Sequence, residues 1–279
     1  MNKLSTTRRA RILSLLVEGM SMRAVSRTEN VAFNTVASLL TRAGEACAAL
    51  HDETVRRIES KRIECDEIWS FVYAKKKNVE EALSAPEGAG DAWTFTALDS
   101  DTKLIVSYLV GLRDKATTRA FIRDLRSRVT GRIMLVSDAM ESYEPAVLAI
   151  FGERNIDYAQ LVKQDGETIS KRVVEGYVPN RSISTSLVER HNLTIRMGNR
   201  RFTRLTNGFS KRVEKHVAML HLFFVHYNFC RVHQSLRVTP AMEAGIETTL
   251  RDCEWLVSLI DERTPKPKRP EHYKKATSR

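Results

Sequence analysis

Three acidic residues stand at positions suited to metal chemistry. Asp66 lies inside a β-branched and aromatic run, where a charge needs a compensating partner. Asp138 directly follows the apolar run 133–136 and one serine, and Glu189 lies in an expected helix. Convergent carboxylates bind hard ions such as Mg²⁺, and two such ions can drive phosphodiester chemistry. Spacing alone does not distinguish this metal site from other interpretations, because a strand-end aspartate often forms a turn and a helical glutamate often faces solvent.

Hydrophobic patterning predicts a mixed α/β core around these residues. The expected strands cover 62–73, 92–98, 104–110, 133–136 and 158–162. The expected helices cover 117–129, 145–151, 182–197 and 210–229. Three strands of antiparallel character are thus followed by alternating helices and strands, which predicts an α/β fold with a mixed sheet flanked by helices. Asp138 then lies at a carboxyl strand end, where the sites of such sheets collect.

The first fifty residues predict a small helical unit. Residues 8–50 contain three short helices, with Ser21 as a cap for the second. This pattern is typical of a helix-turn-helix domain, whose second helix lies in the major groove. Side chains at the start of the third helix predict base or phosphate contacts, namely Asn34, Thr35, Ser38 and Arg42. A plain three-helix cap on a larger domain is the alternative.

Composition favours a polyanion as partner. Lys and Arg number 45 against 34 Asp and Glu, a formal charge of +11, and cations that neutralise phosphates release counterions. Charge alone does not separate DNA from RNA or from an anionic membrane surface. No run approaches the roughly 18 apolar residues of a membrane span, and the N-terminus does not resemble a signal peptide, so we expect a cytoplasmic protein without a membrane partner. Four scattered cysteines support neither disulfides nor a zinc ribbon.

Further polar residues are candidates for DNA contact. Asn192 and Arg196 share a helix face with Glu189, so they either orient the glutamate, contact a phosphate or face solvent. A basic stretch is expected to contact the strand backbone through Arg200, Arg201, Arg204, Lys211, Arg212 and Lys215. A later set is expected to border the site, namely Asn228, Arg231 and His233.

Glu67 is expected to stay apart from the metal site. Successive side chains of a strand point to opposite faces, so Glu67 would point away from Asp66. The predicted domains are a helix-turn-helix domain over 1–55, a catalytic domain over 56–247, and a C-terminal helix and basic tail over 248–279.

Three stretches carry a resemblance to a known family. They are 66–72 with 75–78, the strand ending in Ser137-Asp138, and Glu189-Arg190-His191-Asn192 with Arg196 and the segments 203–206 and 209–211. The segment 227–243 resembles the ending of many transposases and integrases. Over about 63–246 the chain resembles the DDE transposase superfamily, and within it the IS1 family, whose catalytic core has an RNase H-like fold.

The resemblance implies a function and a ligand set. A member would cut DNA and transfer strands at the ends of an insertion sequence. It would use Mg²⁺, with Mn²⁺ as the alternative, held by Asp66, Asp138 and Glu189. Its partners would be terminal inverted repeats and target DNA, and it would form a homo-oligomer. The alternatives are an RNase H-like nuclease or resolvase without strand transfer, a non-catalytic DNA-binding regulator, and an RNA-binding protein.

Two features depart from the family pattern. The 51 residues from Asp138 to Glu189 (189 − 138) exceed the commonest spacing, which predicts an extra lobe around 166–179 and makes Glu167 and Glu175 competitors for the third carboxylate. IS1-type proteins often begin with a zinc-binding module, whereas Cys47 and Cys65 alone cannot build one. The helix-turn-helix is expected in its place.

Overall fold

The structure is a computed structural model that describes residues 3–82, 84–164, 168–203 and 206–264. Some of the predicted features lie outside these residues: Arg204, the competing Glu167, and the basic tail beyond Thr264.

Six strands form one mixed sheet. Their bounds are β1 Arg62–Val72, β2 Gly90–Asp99, β3 Ile105–Gly111, β4 Ile133–Asp138, β5 Ile156–Gln164 and β6 Thr168–Glu175. The order across the sheet is β3-β2-β1-β4-β5-β6. β1 pairs antiparallel with β2 and parallel with β4, and β4 is parallel to β5. Because β2 is also antiparallel to β3, the carboxyl ends of β1, β3, β4 and β5 share one edge of the sheet.

Helices flank this sheet, which confirms the predicted α/β class. Their bounds are α1 Thr6–Val17, α2 Met22–Thr28, α3 Phe33–Thr54, α4 Lys115–Arg128, α5 Tyr143–Phe151, α6 Ser186–Gly198, α7 Val213–Val225, α8 Pro240–Glu243 and α9 Cys253–Arg263. The Ser21 side chain accepts a hydrogen bond from the Ala24 amide at 3.1 Å, so the predicted cap of α2 is confirmed. Across the described ranges, no helix has the length and apolar character that crossing a membrane requires.

The extra residues between Asp138 and Glu189 extend the sheet. They include β6, which pairs antiparallel with β5 from Thr168 opposite Gln164 to Glu175 opposite Tyr158. Over 168–175, the extra lobe predicted around 166–179 is thus an edge strand of the sheet. An edge strand exposes much of its surface and so lacks the apolar alternation that marks a half-buried strand; Val173, for example, is 46% exposed.

The N-terminal helices pack on the rest of the chain. α3 lies along α7 so closely that a Cβ atom on Gly44 would stand 2.6 Å from the Cα atom of Ala218. At the other end of the unit, the Arg9 guanidinium donates to both carboxylate oxygens of Asp261 in α9, at 2.6 and 2.8 Å. One continuous core includes buried residues of α1, α3, the sheet, α7 and α9. The domain boundary predicted near residue 55 therefore separates two segments that contribute to the same hydrophobic core.

The close approach at Gly44 makes a prediction about stability. Alanine favours a helix over glycine by about 1 kcal/mol, but Gly44→Ala would press its new methyl group into the backbone of α7. We expect net destabilisation of about 1–3 kcal/mol from overpacking, measured by urea unfolding. The neighbouring exposed Glu45 provides the control, and Glu45→Ala should change stability by less than about 0.5 kcal/mol. Equal stability of Gly44→Ala and the native chain would contradict the close packing.

Candidate metal site and nucleic-acid interface

Asp66 and Asp138 lie level with each other on neighbouring parallel strands. The β1–β4 ladder pairs Glu64 with Val136, and each aspartate lies two residues farther along its strand. Because the side-chain period of a strand is two, both aspartates point to the same face as Glu64 and Val136. β4 ends at Asp138, so the pair lies where β4 ends, while β1 continues from Asp66 to Val72. The expectation that Asp138 lies at a carboxyl strand end is confirmed.

A third carboxylate joins this pair. One oxygen atom from each of Asp66, Glu67 and Asp138 lies within 4.8 Å of the other two. The prediction that Glu67 stays apart from this group is wrong. The Glu67 carboxylate is held at the edge by the Arg113 guanidinium, whose Nε donates at 2.7 Å, and by the Tyr143 hydroxyl at 3.2 Å.

Burial and mutual repulsion both disfavour the charged forms of the clustered carboxylates. Burial raises the pKa of Asp66 to about 7, and the negative charges of Glu67, Asp138 and Glu189 add to the rise. Burial and Asp138 also raise the pKa of Glu67, whereas Arg113 and Tyr143 act in the opposite direction. Three hard oxygen donors that repel one another at this range fit a divalent cation, because its charge would relieve the repulsion.

Helix α6 is anchored to β1 by a buried glutamate. Glu64 is fully buried, and its Oε2 accepts hydrogen bonds from the Leu187 and Val188 amides at 2.9 and 3.1 Å. A carboxylate at a helix N-terminus satisfies amides that lack partners within the helix. Ser100 Oγ donates to the other oxygen at 3.3 Å. Glu64 thus fixes the start of the helix that carries Glu189, a role that the sequence pattern did not indicate.

Glu189 lies at the border of the carboxylate cluster. It lines the same cavity as the two aspartates, and its charge contributes to the raised pKa of Asp66. Its Oε1 accepts a hydrogen bond from Thr185 Oγ1 at 3.1 Å. Within the described residues, the group that meets at 4.8 Å contains Glu67 and not Glu189. The predicted trio therefore shares one cavity, with Glu67 as an additional member.

Asn192 contacts the cluster directly. It is buried, and its Nδ2 donates to Asp66 Oδ2 at 2.7 Å. Its Oδ1 has no partner among the residues that the structure describes. Of the roles considered for Asn192, this geometry favours orientation of a carboxylate, and the carboxylate is Asp66 rather than Glu189.

Arg113 is a site residue that sequence reasoning missed. Its guanidinium lies 2.6 Å from Glu67 Oε1 and 3.5 Å from Asp138 Oδ2, and it also packs over the Trp93 ring at 4.9 Å. Arg113 follows β3, and β3 ends at the same edge as β4. The sequence contained a signal for this position. Three consecutive antiparallel strands run up, down and up, so the end of β3, which Arg113 follows, lies at the same edge as the end of β1.

Loss of Arg113 should leave a buried charge uncompensated. In Arg113→Gln, the carboxylate of Glu67, which is 8% exposed, would lose its cationic partner, and its pKa should rise further. We expect stability in metal-free buffer to fall by about 1–3 kcal/mol at pH 8, with a smaller loss at pH 4, below the ordinary carboxyl pKa of 4.5, where Glu67 is mostly protonated in the folded and the unfolded chain. Chemical denaturation at both pH values measures this difference. A loss independent of pH would contradict the pairing.

The carboxylates face an open cavity of about 840 Å³. Basic side chains also line it, and they are Arg113, Lys115 and Arg196. Six carboxylates line the cavity against these three cations, so its described lining carries an excess of negative charge. A bound divalent cation would offset that excess, and the basic side chains would then suit a substrate that carries negative charge.

The remaining predicted DNA contacts vary in exposure. Asn34, Ser38, Lys211 and Arg212 are exposed, whereas Thr35, Arg42 and Arg200 are half-buried. Burial lowers the pKa of Arg201 to about 10, and its Nε has no partner within the described part of the chain, so Arg201 is poorly placed to meet a phosphate.

The set 228–233 was expected to border the carboxylates, and that expectation is wrong. Asn228 is fully buried and bonds the backbone of Ile105 through both amide atoms, each at 3.0 Å. Arg231 and His233 line a different cavity. Asn228 thus fixes the start of β3, which is a structural role.

Comparisons with known proteins give distant structural similarities. No protein-family model matches the chain, and no curated protein matches it in sequence. A Mos1 transposase paired-end complex with the left transposon end is similar at 14% identity and a TM-score of 0.24, over 57% of this chain and 60% of that one. A piggyBac transposase synaptic complex with hairpin DNA is similar at 9% identity and a TM-score of 0.40, over 96% and 73%. The chain thus spans about 60% of the Mos1 transposase, and similarities this distant assign no family.

Proposed function

We propose that the protein is a DDE transposase of an IS1-like insertion sequence, with an RNase H-like catalytic domain that cuts DNA and transfers the cut strand. One observation carries the proposal. Asp66 and Asp138 lie level on adjacent parallel strands, with their carboxylates within 4.8 Å of each other and of Glu67, in a cavity that Glu189 and basic side chains also line.

The residues of the site have distinct tasks in this proposal. Asp66, Asp138 and Glu189 would hold Mg²⁺ or Mn²⁺. When bound, the ions activate the attacking oxygen and stabilise the leaving oxygen of the phosphodiester. Asn192 keeps the Asp66 carboxylate oriented through its 2.7 Å hydrogen bond. Arg113 neutralises Glu67, and Arg196 lies at the cavity wall, where it would meet a phosphate.

DNA recognition is assigned to the surfaces outside the cavity. The helix-turn-helix formed by α2 and α3 would read the terminal inverted repeats through the exposed Asn34 and Ser38. Lys211 and Arg212, just before α7, would contact the DNA backbone. The formal charge of +11 supports a polyanionic partner. A homo-oligomer would hold two element ends together.

Strand joining tests the proposed function. Labelled DNA carrying the segments that flank the gene is incubated with the full chain, Mg²⁺ and a supercoiled plasmid. Labelled ends covalently joined to the plasmid are expected. Cleavage without joining would identify a nuclease or resolvase, and binding without cleavage would identify a regulator. A preference for RNA in a competition at fixed salt would reject a DNA enzyme.

A further inference from the structure

A second cavity lies across α6 from the carboxylates. Glu189 and Asn192 line the first cavity, whereas His191 and Thr194 line the second. Helix positions three or four apart share a face, so these two pairs face different sides of α6. The second cavity has a volume of about 410 Å³, within the roughly 300–1,000 Å³ that small-ligand sites occupy.

His191 is buried with unsatisfied hydrogen-bonding groups. It is 3% exposed and lines the second cavity, and neither ring nitrogen has a partner among the described residues. Buried polar atoms without partners cost free energy, so each needs an explanation. A neutral imidazole offers one donor and one acceptor. The two ring nitrogens point in diverging directions, so a ligand in the cavity would hydrogen-bond one of them.

Aromatic surface surrounds this histidine. The His191 and Tyr227 rings lie 4.5 Å apart at 70°, and Tyr227 also lines the cavity. The wider π turn that continues α7, over His226–Cys230, carries Tyr227. A flat ligand with a polar edge, such as a nucleobase, suits an aromatic wall that also offers a ring nitrogen for hydrogen bonding.

The rim of the cavity is cationic. Three positively charged side chains line it, and they are Lys103, Arg190 and Arg231. In the part of the chain that the structure describes, the lining contains no carboxylate. Arg190 and Arg231 are exposed and therefore accessible to an anion from solution. The rim fits the phosphate of a ligand whose base enters the cavity.

We propose that this cavity binds an unstacked, unpaired nucleotide of a DNA strand, with its base against His191 and Tyr227 and its phosphate at the basic rim. The proposal rests on DNA as the substrate of the neighbouring carboxylate site. Because both cavities border α6, one strand could occupy the two sites together. An unpaired nucleotide enters such a pocket at lower cost than a paired one, since no base pair has to be broken.

Photocrosslinking tests the position of the base. The full chain is irradiated with single-stranded oligonucleotides that carry 5-iododeoxyuridine at one position each, and crosslinked peptides are mapped by mass spectrometry. Crosslinks at Tyr227 or His191 are expected. Crosslinks confined to peptides outside the cavity would overturn the proposal.

Binding by variants provides the second test. His191→Phe keeps a ring but removes both nitrogens, and we expect its affinity for the same oligonucleotides to fall roughly threefold to tenfold, the loss of one hydrogen bond, without a lower melting temperature. Arg231→Gln should reduce the slope of log Kd against log salt by about 0.7. Arg154→Gln is the matched control, because Arg154 is exposed just before β5, at the opposite edge of the sheet from Asp138. Binding by both cavity variants equal to that of the control would overturn the proposal.

Parallel cleavage assays separate the two proposals. If the native chain cleaves DNA with Mg²⁺ while both cavity variants bind normally, the cavity assignment alone fails. If the cavity variants lose affinity and crosslinks map to Tyr227 while the native chain never cleaves DNA, the cavity assignment stands and the proposed enzyme fails.

Discussion

Asp138→Asn is expected to reduce Mg²⁺-dependent DNA cleavage roughly a thousandfold, since a metal site that stabilises the transition state contributes several kcal/mol. Asn has the shape of Asp but lacks its charge, and a neutral amide is a much weaker ligand for a hard cation. Its Oδ1 can still accept the Met140 amide, which lies 3.1 Å from Asp138 Oδ1, so local structure should persist. Single-turnover cleavage of end-labelled DNA measures the effect.

A carboxylate of the same cavity provides the control. Glu141 lines the cavity but is not one of the three groups that meet within 4.8 Å. Glu141→Gln should therefore cleave within about twofold of the native rate. If Asp138→Asn cleaves as fast as Glu141→Gln, the carboxylate cluster is not the catalytic site.

Asp66→Asn is expected to stabilise the metal-free protein above pH 7. The pKa of Asp66 is about 7 in the folded chain against an ordinary value of 3.8, so between these values the folded state keeps a proton that the unfolded state has lost. The contribution of Asp66 to stability therefore falls as pH rises from about 4 to 7 and stays unfavourable above 7. Removing the charge should recover on the order of 2–4 kcal/mol at pH 8 and little near pH 4.

The same variant should lose its advantage when metal is added. Ligands that bind only the folded state stabilise it, and the native site binds a cation more tightly as Asp66 loses its proton. Melting temperatures of the variant and the native chain would be compared under four conditions, with EDTA and with Mn²⁺ at pH 5 and at pH 8. A melting temperature of Asp66→Asn equal to or below that of the native chain at pH 8 in EDTA would contradict the raised pKa.

The sequence predicted the parts of the site that depend on local pattern. β4 is an apolar run that ends at an aspartate, and β1 is a β-branched run with an aspartate inside it, so both strands, and the place of Asp138 at a strand end, follow from composition and periodicity. Helix α6 was predicted in the same way, from the helical pattern of residues 182–197.

What the sequence could not supply depends on long-range packing. The alternation of strand side chains was expected to separate Glu67 from Asp66, yet Arg113 and Tyr143, from distant parts of the chain, hold the Glu67 carboxylate near Asp138. Glu64 likewise gains its role only when the start of α6 meets β1. The edge strand β6 was missed because an exposed strand has little apolar alternation to recognise.

The most direct test of the metal site is the position of Mn²⁺ in crystals of the full chain, located by its anomalous scattering. A peak is expected between Asp66 and Asp138, close enough for carboxylate oxygens of both to bind the ion directly, and this peak should be lost in Asp138→Asn. Crystals in millimolar Mn²⁺ that show ordered aspartates, an intact Glu67–Arg113 ion pair and no peak between the aspartates would contradict it.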